Sequence, residues 1–236
     1  QSRRQRSLRD QDIEPVPRFG RVALFWGFVG SMVLLWWLPF EQRGVGFQLL
    51  PEKRLIGLCL GGLLAWGVGF VDDIFYLRAR WKLLVQIGIA VFAISLGFEI
   101  QNVQVPLFHS FNLGIWSWPV TVLWIVGVMN AVNLIDGLDG LASGLTIIAL
   151  ACFASICWSQ GQTSLMLLIL VLLGSTLGFW AFNRPPASIF MGDSGSMFLG
   201  YTLAIFSLWA TEIPGKGQTI LPVLILAIPI LDTAFS

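Results

Sequence analysis

Two asparagines and two aspartates follow one another at steps of three in NAVNLIDGLDGLASGL, which covers residues 130–145. Asn130, Asn133 and Asp136 share one helical face, which drifts by about 60° at each step. Such a polar stripe at the end of a long apolar run is costly toward lipid, so it should face a bundle interior or a wet cavity. The stretch therefore predicts one wall of a polar site.

Glycines follow this stripe, and Asp139 lies between two of them. Gly137 and Gly140 loosen the helix where its backbone could approach a ligand. Asp139 is either part of the same site or the N-cap of the next helix, and the sequence leaves both interpretations open. The spacing does not match the calcium loop of an EF-hand, so we exclude that kind of site.

A second stretch, GVGFVDDIFYLRARWK at residues 67–82, places two adjacent carboxylates at the end of an apolar helix. Asp72 and Asp73 oppose the helix macrodipole there, and they repel each other. A nearby cation, either Mg²⁺ or Lys82, would relieve that repulsion. The alternative is a solvated helix end at the membrane surface, but an unfavourable placement of charge favours a functional position.

The third stretch, FNRPPASIFMGDSGSMFLG at residues 182–200, joins two apolar runs. Its prolines end the first run, and Asp193 lies where the second begins. A helix N-terminus offers free N–H groups and positive partial charge, which suit a phosphate, although Asp193 could instead cap that end. Asn183 supplies an oxygen ligand or a polar hook, and Arg184 can pair with a phosphate.

The three stretches together are rich in Asp and Asn, whose hard oxygen atoms suit Mg²⁺, with Mn²⁺ as an alternative, rather than zinc. His109 is the only histidine of the chain, so a cluster of histidines cannot bind the metal. Mg²⁺ typically takes one or two carboxylates together with substrate phosphates. The residues therefore predict metal-assisted phosphoryl chemistry, and the apolar runs beside them allow one substrate to be a lipid.

The elements that position these residues are predicted to be membrane helices. Of the 236 residues 56% are hydrophobic and 11% are charged, whereas soluble domains usually carry about 25% charged residues. Because lipid leaves no water to satisfy an open backbone, we expect an all-α, polytopic helix bundle that forms a single domain over residues 1–236. Apolar runs near the spanning length predict eight helices, at 22–40, 55–71, 83–98, 115–132, 141–158, 163–182, 197–211 and 219–235.

The distribution of Lys and Arg predicts the orientation of the bundle. With the basic segment 1–21 placed in the cytoplasm, ten basic residues lie inside and four outside. Every aspartate then falls on the cytoplasmic side, although topology was assigned from basic residues alone. The acidic stretches are thus expected to form one site at the cytoplasmic face, while 99–114 is expected to form a short strand or hairpin outside. A nucleic-acid partner is not expected, because 1–21 is the only basic cluster.

The motifs GFVDDIF, NAVNLIDGLDGLASG and FNRPPASIFMGDSGSMFLG resemble those of the polyprenyl-phosphate N-acetylhexosamine-1-phosphate transferases, in the same order and over nearly the whole chain. Members of that family transfer a sugar-1-phosphate from a UDP-sugar to a membrane polyprenyl phosphate with Mg²⁺ and release UMP. The resemblance implies that Asp193 and Asn133 bind the metal and that Asp72, Asp73 and Asp193 are catalytic.

The same resemblance implies how the substrates bind. Gly137, Leu138 and Asp139 would form the uridine pocket, in which Phe190 would stack on uracil. The remaining side chains would face the phosphates or lie near them, and these are Lys82, Asp136 and Asn183. Because a lipid phosphate is already largely ionised at neutral pH, a strong base is not obligatory, and Asp72 could act as a base or as an orienting group.

Within the family, the sequence most resembles bacterial enzymes that transfer GlcNAc-1-phosphate to undecaprenyl phosphate in the inner membrane, at the start of teichoic acid, lipopolysaccharide O-antigen or other glycan synthesis. The alternatives are the phospho-N-acetylmuramoyl-pentapeptide transferases, a proton-coupled secondary transporter and a non-catalytic scaffold. A homodimer is left open. The chain begins at Gln1 and stops inside an apolar run at Ser236, so we expect a fragment that lacks both ends, including the His-containing loop of the resembled family, and has little or no activity by itself.

Overall fold

Seven α-helices and a small sheet make up the part of the chain that the structure, a computed structural model, describes. That part covers residues 20–37, 50–104, 110–210, 212–213, 217–219 and 225–226. The helices are α1 (Gly20–Trp37), α2 (Glu52–Phe75), α3 (Ala79–Ser95), α4 (Ser117–Ile135), α5 (Leu141–Ser159), α6 (Thr163–Asn183) and α7 (Gly192–Ala210). A short 3-10 helix, Gly114–Trp116, leads into α4.

The predicted helical membrane protein is confirmed in its coarse form. Within the described residues, four segments are long and apolar enough to cross a membrane: Glu52–Phe75, Gly114–Ile135, Leu141–Ser159 and Thr163–Asn183. Seven of the eight predicted spans coincide with helices, with ends displaced by up to five residues. The span predicted at 219–235 falls almost wholly outside the described residues, as does most of the basic segment 1–21, so eight crossings stay a prediction.

Helix α7 lies at the centre of the bundle. Every residue from Ser194 to Ala210 is buried, and the helix packs against α1, α2, α4 and α5. Small residues make this close packing possible, because a Cβ placed on Gly200 would lie 2.6 Å from the Cα of Met129 in α4. The first turn of α7 is therefore held in position by several neighbours at once.

Left-handed backbone conformations mark two of the helix boundaries. Tyr76 ends α2 with a left-handed backbone (φ 51°), and its N–H donates to the carbonyl of Asp72. Gly140, also left-handed (φ 71°), directly precedes α5. Both breaks fall beside the acidic motifs, so the chain turns where those motifs occur.

Beside the helices lies a small four-stranded sheet, with the strands, numbered in chain order, arranged β2-β1-β4-β3. Strands β1 (Asn102–Gln104) and β2 (Ser110–Asn112) pair antiparallel, which confirms the predicted hairpin. Strands β3 (Glu212–Ile213) and β4 (Gly217–Thr219) follow α7, and β4 pairs parallel to β1. Segments of two or three residues are too short for an alternating pattern, so β3 and β4 could not be predicted from the sequence.

Candidate active site

Four helix ends bring the three acidic motifs together, as the sequence predicted. The last turn of α2 and the first turns of α3 and α7 meet the last turn of α4. We use the name acidic cluster for Asp72, Asp73, Lys82, Asn133, Asp136 and Asp193. Because α2 has 24 residues and rises about 1.5 Å per residue, its other end lies about 36 Å away.

Lys82 lies at the centre of the acidic cluster. Its Nζ is 2.8 Å from Oδ2 of Asp72 and 2.8 Å from Oδ2 of Asp193, and it donates to Oδ1 of Asn133 at 3.1 Å. One ammonium therefore binds a residue from each of the three motifs. Oxygen atoms that converge on a single ammonium define a position suited to a positive charge.

Asn133 links α4 to α7. Its Nδ2 donates to Oδ1 of Asp193 at 2.9 Å and to the hydroxyl oxygen of Ser196 at 2.8 Å. Its own Oδ1 accepts from Lys82, so both the oxygen and the nitrogen of the amide are hydrogen-bonded. These bonds fix the carboxylate of Asp193, which does not cap its own helix.

Asp73 occupies the N-terminus of α7, which the sequence suggested as a phosphate site. Its Oδ1 accepts from the backbone N–H of Asp193 at 3.0 Å, and its Oδ2 accepts from the N–H of Ser194 at 3.2 Å and from its hydroxyl at 2.9 Å. Gly69, one turn earlier in α2, lies directly against the Asp193 carbonyl. The expected free N–H groups are therefore already bound by a carboxylate from another helix.

Asp136 lies in the turn after α4. The backbone N–H of Gly192 donates to its carboxylate, but burial, followed by the negative charges of Asp193 and Asp73, raises the pKa of Asp136 to about 7. A carboxyl with this pKa exchanges protons near neutral pH. Since bound cations favour the ionised form, positive charge in the acidic cluster would lower this pKa.

The loops before α5 and before α7 are joined by two side chains. Asn183 is buried, accepts at Oδ1 from Gly140 N–H (3.2 Å) and from the Ser143 hydroxyl (2.8 Å), and donates to the carbonyl of Ile189 (3.0 Å). Asp139 accepts from the N–H of Ala187 at 3.1 Å. Asp139 therefore bridges the two loops, and Gly140 takes the N-cap position of α5 without a side-chain cap.

Exposed apolar side chains lie in these two loops. Leu138 is 68% exposed and Phe190 is 44% exposed, and Gly137 beside Leu138 is also exposed. Apolar groups exposed in loops next to charged residues are available to a ligand. Their predicted roles in uridine binding stay predictions, as does a phosphate role for Asn183 and Arg184.

Two features of the site were missed by sequence analysis. Gln86, one turn after Lys82, is fully buried and bonds to Asn130 through both amides, at 2.9 and 3.3 Å. Its signal was a polar residue four positions from Lys82 within an apolar run. The second missed feature is Gly69, which contacts the first turn of α7. The available signal was its position one helical turn before Asp73.

The protein groups that could hold a metal are few. The described residues contain no group of three or more His, Cys, Asp or Glu side chains arranged to bind a metal ion. Asp193 and Asn133, the predicted ligands, nevertheless direct Oδ2 and Oδ1 toward the same ammonium. Two hard oxygen donors fit Mg²⁺, which commonly completes its coordination with phosphates and water.

The chain belongs to glycosyl transferase family 4, whose profile matches residues 55–211. That range holds all three acidic motifs and every member of the acidic cluster. Curated relatives that are similar to this chain carry the names of phosphosugar transferases, and together with the family they define a glycosyl-1-phosphate transferase class.

The chain is 40% identical to the probable undecaprenyl-phosphate N-acetylglucosaminyl 1-phosphate transferase of Bacillus subtilis, over 94% of this chain and 59% of the relative. It is 39% identical to the phospho-N-acetylmuramoyl-pentapeptide-transferases of Lactiplantibacillus plantarum and Streptococcus pneumoniae. Those two matches cover 68% and 65% of this chain and 53% and 50% of the relatives. The chain thus spans about half the length of the curated relatives that it matches.

Proposed function

We propose that the protein transfers GlcNAc-1-phosphate from UDP-GlcNAc to undecaprenyl phosphate, as the first membrane step of a cell-envelope glycan. The observation that carries the proposal is the convergence of Asp72, Asn133 and Asp193 on the ammonium of Lys82. The similarity to the B. subtilis enzyme favours this donor and acceptor. We place the reaction at the cytoplasmic face of the inner membrane, because the basic residues concentrate on the side of the acidic cluster.

In the proposed reaction, an oxygen of the lipid phosphate attacks the phosphorus that carries the sugar. A new P–O bond forms, the bond from that phosphorus to the bridging oxygen breaks, and UMP leaves with the bridging oxygen. Negative charge accumulates on the phosphates during this exchange, so the main task of the site is to position and neutralise them. The ammonium of Lys82 is suited to bind the diphosphate once its carboxylate partners turn to another cation.

Mg²⁺ is the cofactor that we propose, held by Asp193 and Asn133 with the substrate phosphates. When bound, it offsets phosphate charge and makes UMP a better leaving group. Asp72 lies beside Lys82 and also accepts from the N–H of Leu77 at 2.7 Å, so it is oriented from two sides. We assign Asp72 to orienting the lipid phosphate, because that phosphate needs no strong base.

Asp73 and Asn183 receive positioning roles that differ from those implied by the family resemblance. Asp73 holds the first turn of α7 and thereby Asp193, and Asn183 joins the two loops around the proposed uridine pocket. Gly137, Leu138 and Asp139 from one loop and Phe190 from the other are proposed to bind uridine. Asp136 is proposed to face the phosphate side of the same pocket.

The second candidate donor is UDP-N-acetylmuramoyl-pentapeptide, which the similarity to the L. plantarum and S. pneumoniae enzymes supports. A proton-coupled transporter is disfavoured, because transporter sites tend to lie near the bilayer midplane, whereas the acidic cluster lies at the helix ends.

The test is UMP release by the full-length protein, purified in detergent, with undecaprenyl phosphate and each of the two UDP-sugars, before and after metal removal by EDTA. We expect release with UDP-GlcNAc, lost with EDTA and restored by Mg²⁺. Release with the pentapeptide donor alone would establish the second function. Substrate flux into liposomes without UMP release would instead support a transporter.

A further inference from the structure

The helix that carries Lys82 is weakly packed where Lys82 lies. In the first three turns of α3, Leu83, Leu84 and Val85 are exposed, and Ile87 is 36% exposed. Gln86 is the single buried side chain between Lys82 and Ile89. Apolar packing therefore does little to fix this end of α3 against the bundle.

Gln86 instead bonds to Asn130 in a reciprocal amide pair. Asn130 Nδ2 donates to Gln86 Oε1 at 2.9 Å, and Gln86 Nε2 donates to Asn130 Oδ1 at 3.3 Å. Asn130 also donates to the carbonyl of Val126 at 2.8 Å, which fixes the orientation of its amide on α4. A fully buried amide with both polar atoms bonded is specific for one arrangement of two helices.

The amide pair lies one helical turn from the acidic cluster on both helices. Gln86 follows Lys82 by four residues, and Asn130 precedes Asn133 by three, so each pair shares a helix face. Two contacts at this spacing between the same helices fix both the rotation and the axial register of α3. A slip or rotation of α3 would move Lys82 away from Asp72, Asn133 and Asp193.

We propose that Gln86 and Asn130 form a register pair that positions the Lys82 ammonium in the acidic cluster. Helix α4 is itself fixed to α7 by the close approach of Gly200 to Met129, so the pair connects α3 to the helix that bears Asp193. Buried polar pairs can set helix register even where they add little stability, and interhelical hydrogen bonds in membranes are modest. The catalytic consequence of this inference rests on the proposed function, but the placement of Lys82 does not.

The first experiment measures the exposure of Lys82 without using activity. Reductive methylation of the purified protein is quantified by mass spectrometry, with exposed Lys53 as the internal reference. We expect Gln86→Leu and the milder Gln86→Asn to increase methylation of Lys82 relative to Lys53. The double exchange Gln86→Asn with Asn130→Gln rebuilds an amide pair of the same total length, and it should return Lys82 toward its original rate.

A matched control removes a buried hydroxyl that bonds within its own helix. Thr176 is fully buried in α6 and donates to the carbonyl of Leu172 at 2.8 Å, so Thr176→Val should leave methylation of Lys82 unchanged. Unchanged methylation in both Gln86 variants would overturn the register pair. An increase that the double exchange does not reverse would also overturn it, because it would indicate general loosening.

The second experiment separates positioning from substrate binding. A displaced Lys82 should lower kcat for UMP release by up to about 100-fold, as misplacement by about 1 Å can do, and the double exchange should recover most of it. KM for the UDP-sugar should change little, because other loops form the proposed uridine pocket. If the unsubstituted full-length protein releases no UMP, the proposed function fails, while the methylation result still decides on the register pair.

Discussion

The two ends of α2 both carry ion pairs, but the pairs differ in how charge is balanced. At the start of α2, Arg54 bonds to Glu212 of β3 at 2.7 Å and lies over the rings of Phe98 and Trp209. One cation meets one anion there, and two aromatic rings cover the cation. At the other end, the acidic cluster contains four carboxylates and one ammonium.

This difference distinguishes a structural ion pair, at Arg54, from a group of charges that is suited to bind a ligand, the acidic cluster. The Arg54 pair is neutral and complete, so it joins α2 to the sheet and needs nothing further. The acidic cluster keeps excess negative charge, even though Asp73 is bonded to the α7 N-terminus. Excess charge of this kind favours a metal ion or another cation, and it predicts that substitutions at the two ends will have separable effects.

The largest effect should follow from loss of Asp193. Asp193→Ala removes the carboxylate that contacts both Lys82 and Asn133, so we expect UMP release to fall by at least about 100-fold. Isothermal titration with Mg²⁺ in the presence of UMP should show weaker metal binding. Turnover equal to that of the unsubstituted protein would refute the assignment of Asp193 as a metal ligand.

A pair of glycines in α2 should next distinguish the site end, at Gly69, from the rest of the helix, at Gly61. A Cβ on Gly69 would strike the Asp193 carbonyl and lie 2.5 Å from the Cα of Ser194, and backbone atoms cannot yield easily. We expect Gly69→Ala to lower both UMP release and the unfolding temperature, because overpacking costs about 1–3 kcal/mol. Gly61→Ala, which would strike the buried Tyr201 ring, should lower the unfolding temperature by a similar amount.

The comparison depends on UMP release, which Gly61→Ala should leave largely intact. Gly67→Ala is the matched control, since a Cβ there meets nothing within 4 Å. Equal losses of UMP release in Gly69→Ala and Gly61→Ala would show that the bundle responds as one unit and that the site end of α2 is not separable from the rest.

A smaller effect should follow from Asp73→Ala. The substitution removes the cap of α7, and losing an N-cap costs about 0.5–2 kcal/mol of folding free energy. Asp73→Asn keeps oxygen and polarity at the same position, so it should recover part of the stability and part of UMP release. If Asp73→Asn were as stable as the unsubstituted protein yet fully inactive, Asp73 would act on the substrate rather than through α7.

The role of Asp73 also shows where inference from the sequence ends. Hydropathy located the helices because membrane-length apolar runs carry a strong signal, and the basic residues grouped the aspartates at one end. Nothing in VDDIF indicates that the second carboxylate binds the N-terminus of a helix 120 residues later. That contact depends on close approach of α2 and α7 at Gly69, which is a property of packing.

Asn183 illustrates the same limit in a loop. Its position beside Arg184 made a phosphate partner a reasonable hypothesis, but its buried amide makes three hydrogen bonds within the protein. The short sheet is a further case, since β4 reaches β1 only after α7 has returned the chain to that end. Pairings over such separations are set by tertiary structure rather than by local pattern.

The smallest predicted effect lies at the sheet end. Arg54→Met keeps the apolar stem but breaks the pair with Glu212, whose side chain is 34% exposed while that of Arg54 is 23% exposed. Partly exposed ion pairs contribute about 0.2–1 kcal/mol, and a cation over aromatic rings adds about 0.5–1 kcal/mol. We therefore expect Arg54→Met to lower the unfolding temperature slightly. Lys53→Met is the control at an exposed neighbouring position, and it should leave the unfolding temperature nearly unchanged.

UMP release should stay unchanged in both variants, because the acidic cluster lies about 36 Å from this end of α2. A large loss of UMP release in Arg54→Met would mean that the sheet end, although balanced in charge, is coupled to the active site through α2 or α7.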